Sequence, residues 1–457
     1  MLDLLLVNPG NLQSQFGGVS EYATIAQPLG LAMLAAYVRE HGFTVEILDA
    51  EVLGMGAKET VEYIIQKNPR FMGITAFTTK MTAAGEILFL LTQYTKSNRG
   101  RKNIKTIIGG HHPSAIPEET YNSEYVDFVV KGEGYEPLLS ILKGEPVGPV
   151  VIAEPMKNID DLPLPAWDLL PMEKYRAHHW QTWGYGQPNS FALVYTSLGC
   201  PFQCKFCSVS NVYGKRIYRQ KSPERTMKDF ELLYKHYHTK HIEIIDDTFT
   251  LNKKHAEGIC ELLIEADYKF NMWAFSRVDT STPRLYEKMK AAGINWVFMG
   301  VEAGNKDILD GVMKLSNLEK IKNAIHIAHE AGLNVGTNYV FGLENETMTT
   351  MNETLALALE LCTEWSNFFI AMPYPGTEMY QKADPSLLPE EWEQYGFFAP
   401  NAKPLPTKTL TSEQIIRFRD AAFYLYYSNE RYQSMIEEKF GKKQYIQEML
   451  QRSIGRT

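Results

Sequence analysis

The sequence predicts an α/β protein built as two successive parallel-sheet domains followed by a helical region. Two observations carry that prediction. Strand-like and helix-like segments alternate through the first 150 residues, and after a proline-rich bridge the alternation restarts near Ala192. Repeated βα units of this length form parallel sheets with helices on both faces. A length of 457 residues fits this plan, being too great for one ordinary core.

Leu4 to Val7 is a short apolar strand ending at Asn8-Pro9. Leu29 to Glu40 reads as a helix stopped by Gly42, and Thr44 to Leu48 as the next strand. Phe71 to Ala76, Ile104 to Ile108 and Phe128 to Val130 supply three further apolar runs. The expected fold of residues 1–150 is a doubly wound, Rossmann-like sheet, which binds ligands at the carboxyl ends of its strands. Small and polar residues stand there: Asn8, Thr75 to Thr79, Gly109-Gly110 and Gly132-Glu133-Gly134.

Residues 151–190 carry Pro155, Pro163, Pro165 and Pro171 beside Asp160 and Asp161, and read as an ordered linker. Between residues 191 and 378 the candidate strands are Ala192 to Thr196, His241 to Ile245, Asn271 to Phe275, Trp296 to Gly300, Val335 to Phe341 and Asn367 to Ala371. Helical patterns such as Lys254 to Ala266 and Leu318 to Ala331 separate them. Six such units predict a partial (β/α)6 barrel, with its chemistry at the strand carboxyl ends. Residues 379–457 lack the rhythm and read as mostly helical.

Hydrophobic residues make up 44% and charged residues 22%, as in globular proteins generally. A formal charge of -8 gives no electrostatic basis for general nucleic-acid binding. The start MLDLLLVNPG lacks the pattern of a signal peptide. No apolar run reaches the roughly 18 residues of a membrane span. The expected location is the cytoplasm.

The five cysteines are odd in number, and three of them crowd into Cys200-Pro-Phe-Gln-Cys204-Lys-Phe-Cys207, directly after a strand and Gly199. Three thiolates on one tight loop can hold three irons of a four-iron cluster and leave the fourth iron open. Structural zinc wants four closed ligands, and His255, Cys260 and Cys362 lie too far off in sequence to make a second knuckle.

C-x₃-C-x-aromatic-C after a first barrel strand resembles the signature of radical S-adenosylmethionine (SAM) enzymes. The resemblance implies a 4Fe-4S cluster on Cys200, Cys204 and Cys207, with SAM chelating the open iron by its amino and carboxylate groups. Reduction then yields a 5′-deoxyadenosyl radical. Phe206 would sit beside the adenine. Asp246 and Asp247, in Ile245-Asp-Asp-Thr-Phe249, resemble the acidic second-strand motif near the SAM methionine. Trp273 to Asp279, with Arg277, resembles the segment that supplies a basic partner for the SAM carboxylate. Glu302, in Gly300-Val-Glu-Ala-Gly-Asn305, resembles the G-x-E-x-G-N segment near ribose and methionine. Phe341 to Thr347 resembles the fifth-strand motif G-x-P-G-E-T, with Glu344-Asn345 in place of Pro-Gly. Pro373 to Thr377 matches the segment that ends the barrel.

Three earlier segments resemble the cobalamin-binding domain that precedes many radical SAM barrels: Gln27-Pro-Leu-Gly-Leu-Ala with Ala35-Ala36-Tyr37, Gly109-Gly-His-His-Pro113, and Lys131-Gly-Glu-Gly134. The cobalamin contacts so implied are Asn8, Thr75, Thr78, Gly109, Gly110, His111, Gly132 and Glu133. Glycines there let a bare backbone approach the corrin. The D-x-H-x-x-G motif is absent, so no histidine ligand to cobalt is expected, from His111 and His112 included. The lower axial position is expected to face the Thr75 to Thr79 loop or the segment Asn11 to Tyr22.

The function implied is C-methylation of an unactivated carbon by way of the adenosyl radical and methylcobalamin. The acceptor is a small molecule or a peptide or protein side chain, and flavodoxin or ferredoxin is the expected external electron donor. The alternative is a non-methylating cobalamin-dependent radical SAM oxidase or cyclase. A tRNA methylthiotransferase would need three cysteines in the amino-terminal domain, which has none. A corrinoid carrier would not need the cysteine loop.

Overall fold

Leu4–Asn8 (β1) is buried at every position, as a central parallel strand covered on both faces must be. Val45–Asp49 (β2), Phe71–Thr75 (β3), Lys105–Gly109 (β4), Phe128–Lys131 (β5) and Val150–Ile152 (β6) complete its sheet. The order is β2-β1-β3-β4-β5-β6, parallel throughout. This computed structural model describes residues 2–10, 12, 20, 23–97, 104–121, 124–214, 216–314 and 316–453. The helix expected at Leu29–Glu40 forms over those residues, and the expected strands shift by one or two positions at their ends. The sheet's last strand lies across the boundary set at residue 150. It has three residues, none buried, too few to show as an apolar run.

The strand order reverses between β1 and β3, which opens a ligand crevice beyond their carboxyl ends. The loops after β3 and β4 line it. Gly110 there has φ +111, and a Cβ on it would stand 2.9 Å from both Ala76 O and Thr75 Oγ1. Only glycine lets these two loops close up.

The second domain opens with Phe191–Val194 (β7) and then a two-residue antiparallel pair, Ser197–Leu198 (β8) with Arg219–Gln220 (β9). His241–Ile244 (β10), Asn271–Ser276 (β11), Ile294–Glu302 (β12), Asn334–Phe341 (β13) and Trp365–Ile370 (β14) follow. The sheet runs β14-β13-β12-β11-β10-β7, all parallel, with β7 and β14 as its edges. It is the expected open barrel of six strands. Several of its helices start on side-chain caps: Ser222, Asn252 and Thr347 each accept a backbone N–H from the first turn of the helix that follows.

The carboxyl-terminal helices Ser412–Ser428, Glu430–Phe440 and Lys443–Ser453 cover the β14 edge. Tyr426, Tyr427 and Tyr432 hydroxyls donate to the carbonyls of Thr363, Ser366 and Glu364 at 2.5, 2.7 and 3.1 Å. An edge strand is thereby kept from pairing elsewhere. Among the described residues no helix is long and apolar enough to cross a membrane.

Residues 151–190 pack into both domains. Trp180 is buried against Trp296 and Trp365 of the barrel. Tyr175 is fully buried and donates to Asp49 at the end of β2 (2.8 Å).

Two further contacts fix the domains to each other. Gln27 donates to the Phe191 carbonyl (2.5 Å), and Glu133 forms a bidentate ion pair with Arg219 of β9. Glu133 also accepts from Met156 N, and Arg219 donates to Met156 O, both at 2.6 Å. Their side chains are only 5% and 12% exposed. Removing one partner of a buried pair leaves an uncompensated charge, at a cost of about 3–5 kcal/mol. Arg219→Ala should therefore lower the denaturant midpoint of the full chain strongly. Lys67→Ala, which breaks the surface pair with Glu46, should cost about 1 kcal/mol or less. Equal midpoints for the two variants would contradict the interdomain role.

Candidate active site

The cysteine loop is held between β8 and β9. Gly199 enters it at φ +85, where a Cβ would collide with the Ile217 carbonyl oxygen. From within, Arg216 donates to the carbonyls of Phe202 and Cys204. Cys204 is buried, and Cys200 and Cys207 are partly exposed. Burial pushes the Cys200 and Cys207 thiols up, Cys207 to about 11, and metal binding displaces such protons. Among the described residues no three His, Cys, Asp or Glu side chains converge as they would on a single ion. A four-iron cluster asks for a wider spread, one thiolate to each of three irons.

The two acidic residues after β10 have opposite fates. Asp246 is fully buried and accepts four hydrogen bonds, from Thr196 N (2.7 Å), Thr196 Oγ1 (2.5 Å), Ser197 N (3.0 Å) and Ser197 Oγ (2.7 Å). His255 Nε2 lies 3.1 Å from the same Thr196 hydroxyl. Asp246 thus has both oxygens occupied in anchoring the segment that leads into the cysteines. Asp247 opens toward the cleft instead. Dense surroundings and the neighbouring Asp246 push its carboxyl up to about 7, against a hydrogen bond from the Gly199 backbone.

Arg277 follows β11 with its guanidinium 3.5 Å from the Phe202 ring centroid, beneath the cysteine loop, and its charge is paired bidentately with Asp279 at 2.9 Å. Glu302 stands at a β-bulge with φ +68 and pairs with buried Lys314 at 2.7 Å. The flanking glycines have separate reasons. A Cβ on Gly300 would occupy the place of the Glu302 carboxylate, and one on Gly304 would lie 2.5 Å from Glu353 O in the Met348–Leu361 helix. After β13, Asn345 takes φ +67, the left-handed conformation that glycine supplies in G-x-P-G-E-T and that Asn tolerates best among the others. The turn survives the replacement, and Glu346 closes it by accepting from Gly342 N (2.6 Å) and Leu343 N (3.0 Å). Phe206 lines a cavity of about 220 Å³ with Lys205, Val312, Gly342, Leu405 and Pro406.

On the first domain's edge, Thr75, Gly109 and Gly110 lie together, with Thr78 buried 3.2 Å from His112 Nδ1. His112 is edge-on to Trp392 (4.5 Å) from the carboxyl-terminal region, and His111 stacks on Phe77 (4.9 Å). Burial pulls both histidines down to about 4, so both are neutral. Gly132 has φ +98, and a Cβ there would meet Val212 O at 3.2 Å, just past Cys207. The carboxyl end of β5 therefore packs directly against the short helix Ser210–Tyr213 that follows the cysteine loop.

Asn8 and Glu133 stand one step back from this edge. Asn8 is buried, donates to Asp49 (2.7 Å) and accepts from Lys80 (3.0 Å), which also reaches Glu51 (2.7 Å). Glu133 is taken up by Arg219, so each acts through a partner. Apart from Leu12 and Ser20, the segment Asn11 to Tyr22 lies outside the described residues. Lys314, Arg216, Arg219 and Trp392 are candidate site residues that no motif announced, and Asp279 lay at the end of the Trp273 to Asp279 segment without a role.

The residues fit both groups that the arrangement implies: a three-thiolate loop for a cluster, and a bare-backbone edge with neutral side chains for a corrin. Residues 17–142 match the B12 binding domain family, and residues 194–358 match the Radical SAM superfamily. The chain belongs to the cobalamin-binding radical SAM family. It is 33% identical over 430 residues to a protein named as an uncharacterized methyltransferase of Pyrococcus horikoshii, covering 88% of each chain. It is 27% identical over 414 residues to the anaerobic magnesium-protoporphyrin IX monomethyl ester cyclase of Rubrivivax gelatinosus, covering 85% of this chain and 72% of the cyclase. Its fold is similar to the radical SAM methyltransferase TsrM from Kitasatospora setae, solved with cobalamin and a 4Fe-4S cluster. That similarity has a TM-score of 0.69 at 16% identity, and it spans 100% of this chain and 99% of that one.

Reconstituted protein should hold one four-iron cluster, lost when Cys200, Cys204 and Cys207 are changed to Ala and kept when Cys260 or Cys362 is. Iron analysis near eight per chain would refute the single site. Gly199→Ala touches no ligand, yet should also lose most of its iron. A left-handed residue with a Cβ costs roughly 1–2 kcal/mol before the collision with Ile217 is counted.

Proposed function

We propose that the chain is a cobalamin-dependent radical SAM C-methyltransferase acting on an unactivated carbon. The observation that carries this reading is the approach of Gly132, on the corrin-binding edge, to Val212, just beyond the cysteine loop. When bound, the cluster with SAM supplies the one-electron chemistry that removes a hydrogen atom from carbon, and cobalamin supplies the methyl group.

Cys200, Cys204 and Cys207 hold three irons and leave the fourth for SAM. Phe206, Asp247, Arg277 and Glu302 orient SAM, with Asp279 fixing Arg277 and Lys314 fixing Glu302. Asp246 holds the loop in place. Thr75, Thr78, Gly109, Gly110, His111 and Gly132 face the corrin and its tail, while Asn8 and Glu133 act through Lys80 and Arg219. We assign cobalamin to residues 1–150 together with β6, the cluster and SAM to residues 191–378, and part of the substrate choice to residues 379–457. The division of labour places the methyl donor and the hydrogen-abstracting centre on opposite walls of one cleft, which removes the entropic cost of bringing them together.

The acceptor is a small molecule or a peptide or protein side chain, and the electron donor is a flavodoxin or ferredoxin in the cytoplasm. The named cyclase relative favours a second reading, in which the same site oxidises or cyclises without methylating. Product mass separates the two. Anaerobic incubation with SAM, reductant, cobalamin and candidate acceptors should give a methylated product, with one S-adenosylhomocysteine and one 5′-deoxyadenosine per turnover. Omitting cobalamin should stop methylation and spare some 5′-deoxyadenosine. Methylation that proceeds equally well without cobalamin would sink the mechanism, and deoxyadenosine with an oxidised or cyclised product would select the second reading.

A further inference from the structure

The barrel wall alternates in what it opens. Ile242 and Ile244 of β10 are fully buried, while Glu243 between them, and Ile245 and Asp247 beyond, are open in part or in full. On β11, β13 and β14 the partly open positions are Phe275, Asn338, Asn367 and Phe369, each between buried neighbours. Successive side chains of a strand point to opposite faces. The face that Glu243 shares with Asp247 is therefore the barrel lumen, and Glu243 enters it four residues below the cleft. Register sets Leu193 and Trp273 beside it. Phe191 stacks on Trp273 at 5.6 Å with planes 8° apart, and Trp180 packs on Trp296 and Phe298. The lumen thus has an aromatic floor with the Glu243 carboxylate set in it.

That carboxylate is uncompensated. Arg277 is taken by Asp279 and Lys314 by Glu302, and among the described residues no cation stands beside Glu243. Burial pushes it up to about 7, opposed only by the Trp273 indole N–H. Burial, and then Asp247, Asp246 and Glu243, likewise raise the Tyr195 phenol on the neighbouring wall. A carboxylate held out of water without a partner is costly, and a ligand that brings the missing charge removes that cost. We propose that Glu243 binds a cationic nitrogen of the methyl acceptor, an alkylammonium group that enters the barrel lumen and leaves the reacting carbon at the cleft. The inference rests on the methyl-transfer reading above and deepens it by naming the acceptor as an amine. A cation is favoured over a neutral donor because Glu243 and Asp247 both face the lumen while the bases near them are already paired. An anionic acceptor would meet like charge there and be rejected.

The test is ligand-observed magnetic resonance of the full-length protein loaded with cluster, cobalamin and SAM, at about pH 8, where an alkylamine is still charged. Hexylammonium, hexanol and hexanoate are the probes, alike in length and different in charge. Wild type should bind hexylammonium and prefer it to both others by roughly tenfold or more. Glu243→Gln should lose that preference, and Glu243→Lys should reverse it toward hexanoate. Iron and cobalamin content equal to wild type show that a variant is folded, and if Glu243→Lys does not fold, Glu243→Gln decides. A short glycine peptide with a central lysine is a fourth probe. Binding that depends on Glu243 supports the proposal in either case, hexylammonium alone marking a free amine and both marking a lysine side chain. Hexylammonium binding unchanged in Glu243→Gln, or no charge preference in wild type, overturns it. So does a loss of SAM affinity in Glu243→Gln with hexylammonium retained, which gives Glu243 to SAM. None of these measurements uses turnover. The amine site can therefore fail while methylation stands, and an oxidised or cyclised product can overturn methylation while the charge preference stands.

Discussion

The cysteine loop can offer three thiols to one cluster only because the chain leading into it is pinned, and the pin is the Asp246 carboxylate. A carboxylate taken wholly out of water is costly to bury, and in this chain four donors from two consecutive residues compensate it. Those donors belong to Thr196 and Ser197, immediately before Leu198 and Gly199. Gly199 then turns the backbone where no other residue fits, and Arg216 ties the loop's own carbonyls from the far side. The cysteines themselves contribute little to this order. Their position is decided by a residue just past the neighbouring strand β10.

The same logic governs how the two domains meet. A cleft that is to exclude water needs walls that do not drift, and loops at strand ends are the parts of such folds most prone to move. Here they are locked by groups pairing across the gap. Glu133 on the first domain takes Arg219 from β9, the strand that closes the cysteine loop. Gly132 beside it has no side chain to hold Val212 away. A buried ion pair is weak as a source of net stability, because desolvation offsets attraction. Its geometric demand is strict, however, and it positions the cluster loop relative to the corrin edge.

Much of this was legible in the sequence, and the reason differs by element. Strands buried on both faces write continuous apolar runs, so Leu4 to Val7 or Trp296 to Gly300 announced themselves. β6, three residues and half exposed, wrote nothing. The cluster ligands were legible because their chemistry is contiguous. Asp246 and Glu133 were legible as positions but not as roles, since the role depends on the partner. Arg219 lies 86 positions from Glu133, and nothing local marks one arginine among many as the one that arrives. Lys314 under Glu302 and Trp392 against His112 were hidden for the same reason. Asn345 shows the converse. It departs from the expected Pro-Gly, yet the turn is preserved, because the constraint is a left-handed backbone and not a particular residue.

The carboxyl-terminal region, silent in the sequence, touches the site at several points. Its tyrosines cover the open barrel edge at β14. Thr407 donates to Glu346 O (2.9 Å), beside the turn that follows β13. Leu405 and Pro406 form part of the wall of the cavity beside Phe206, and Trp392 reaches the first domain at His112. The segment between residues 383 and 411 is built of short turns, with local hydrogen bonds such as Gln394 N to Glu391 O and Lys403 N to Gln394 O, and it is anchored by what it packs against. Such a segment can change length and residue type without disturbing the sheets beneath it. The cluster loop and the corrin edge, by contrast, are tied to strands and to one another through buried charges. The fold thus sets two sheet domains tied together by buried charges against a carboxyl-terminal segment that packs on both of them.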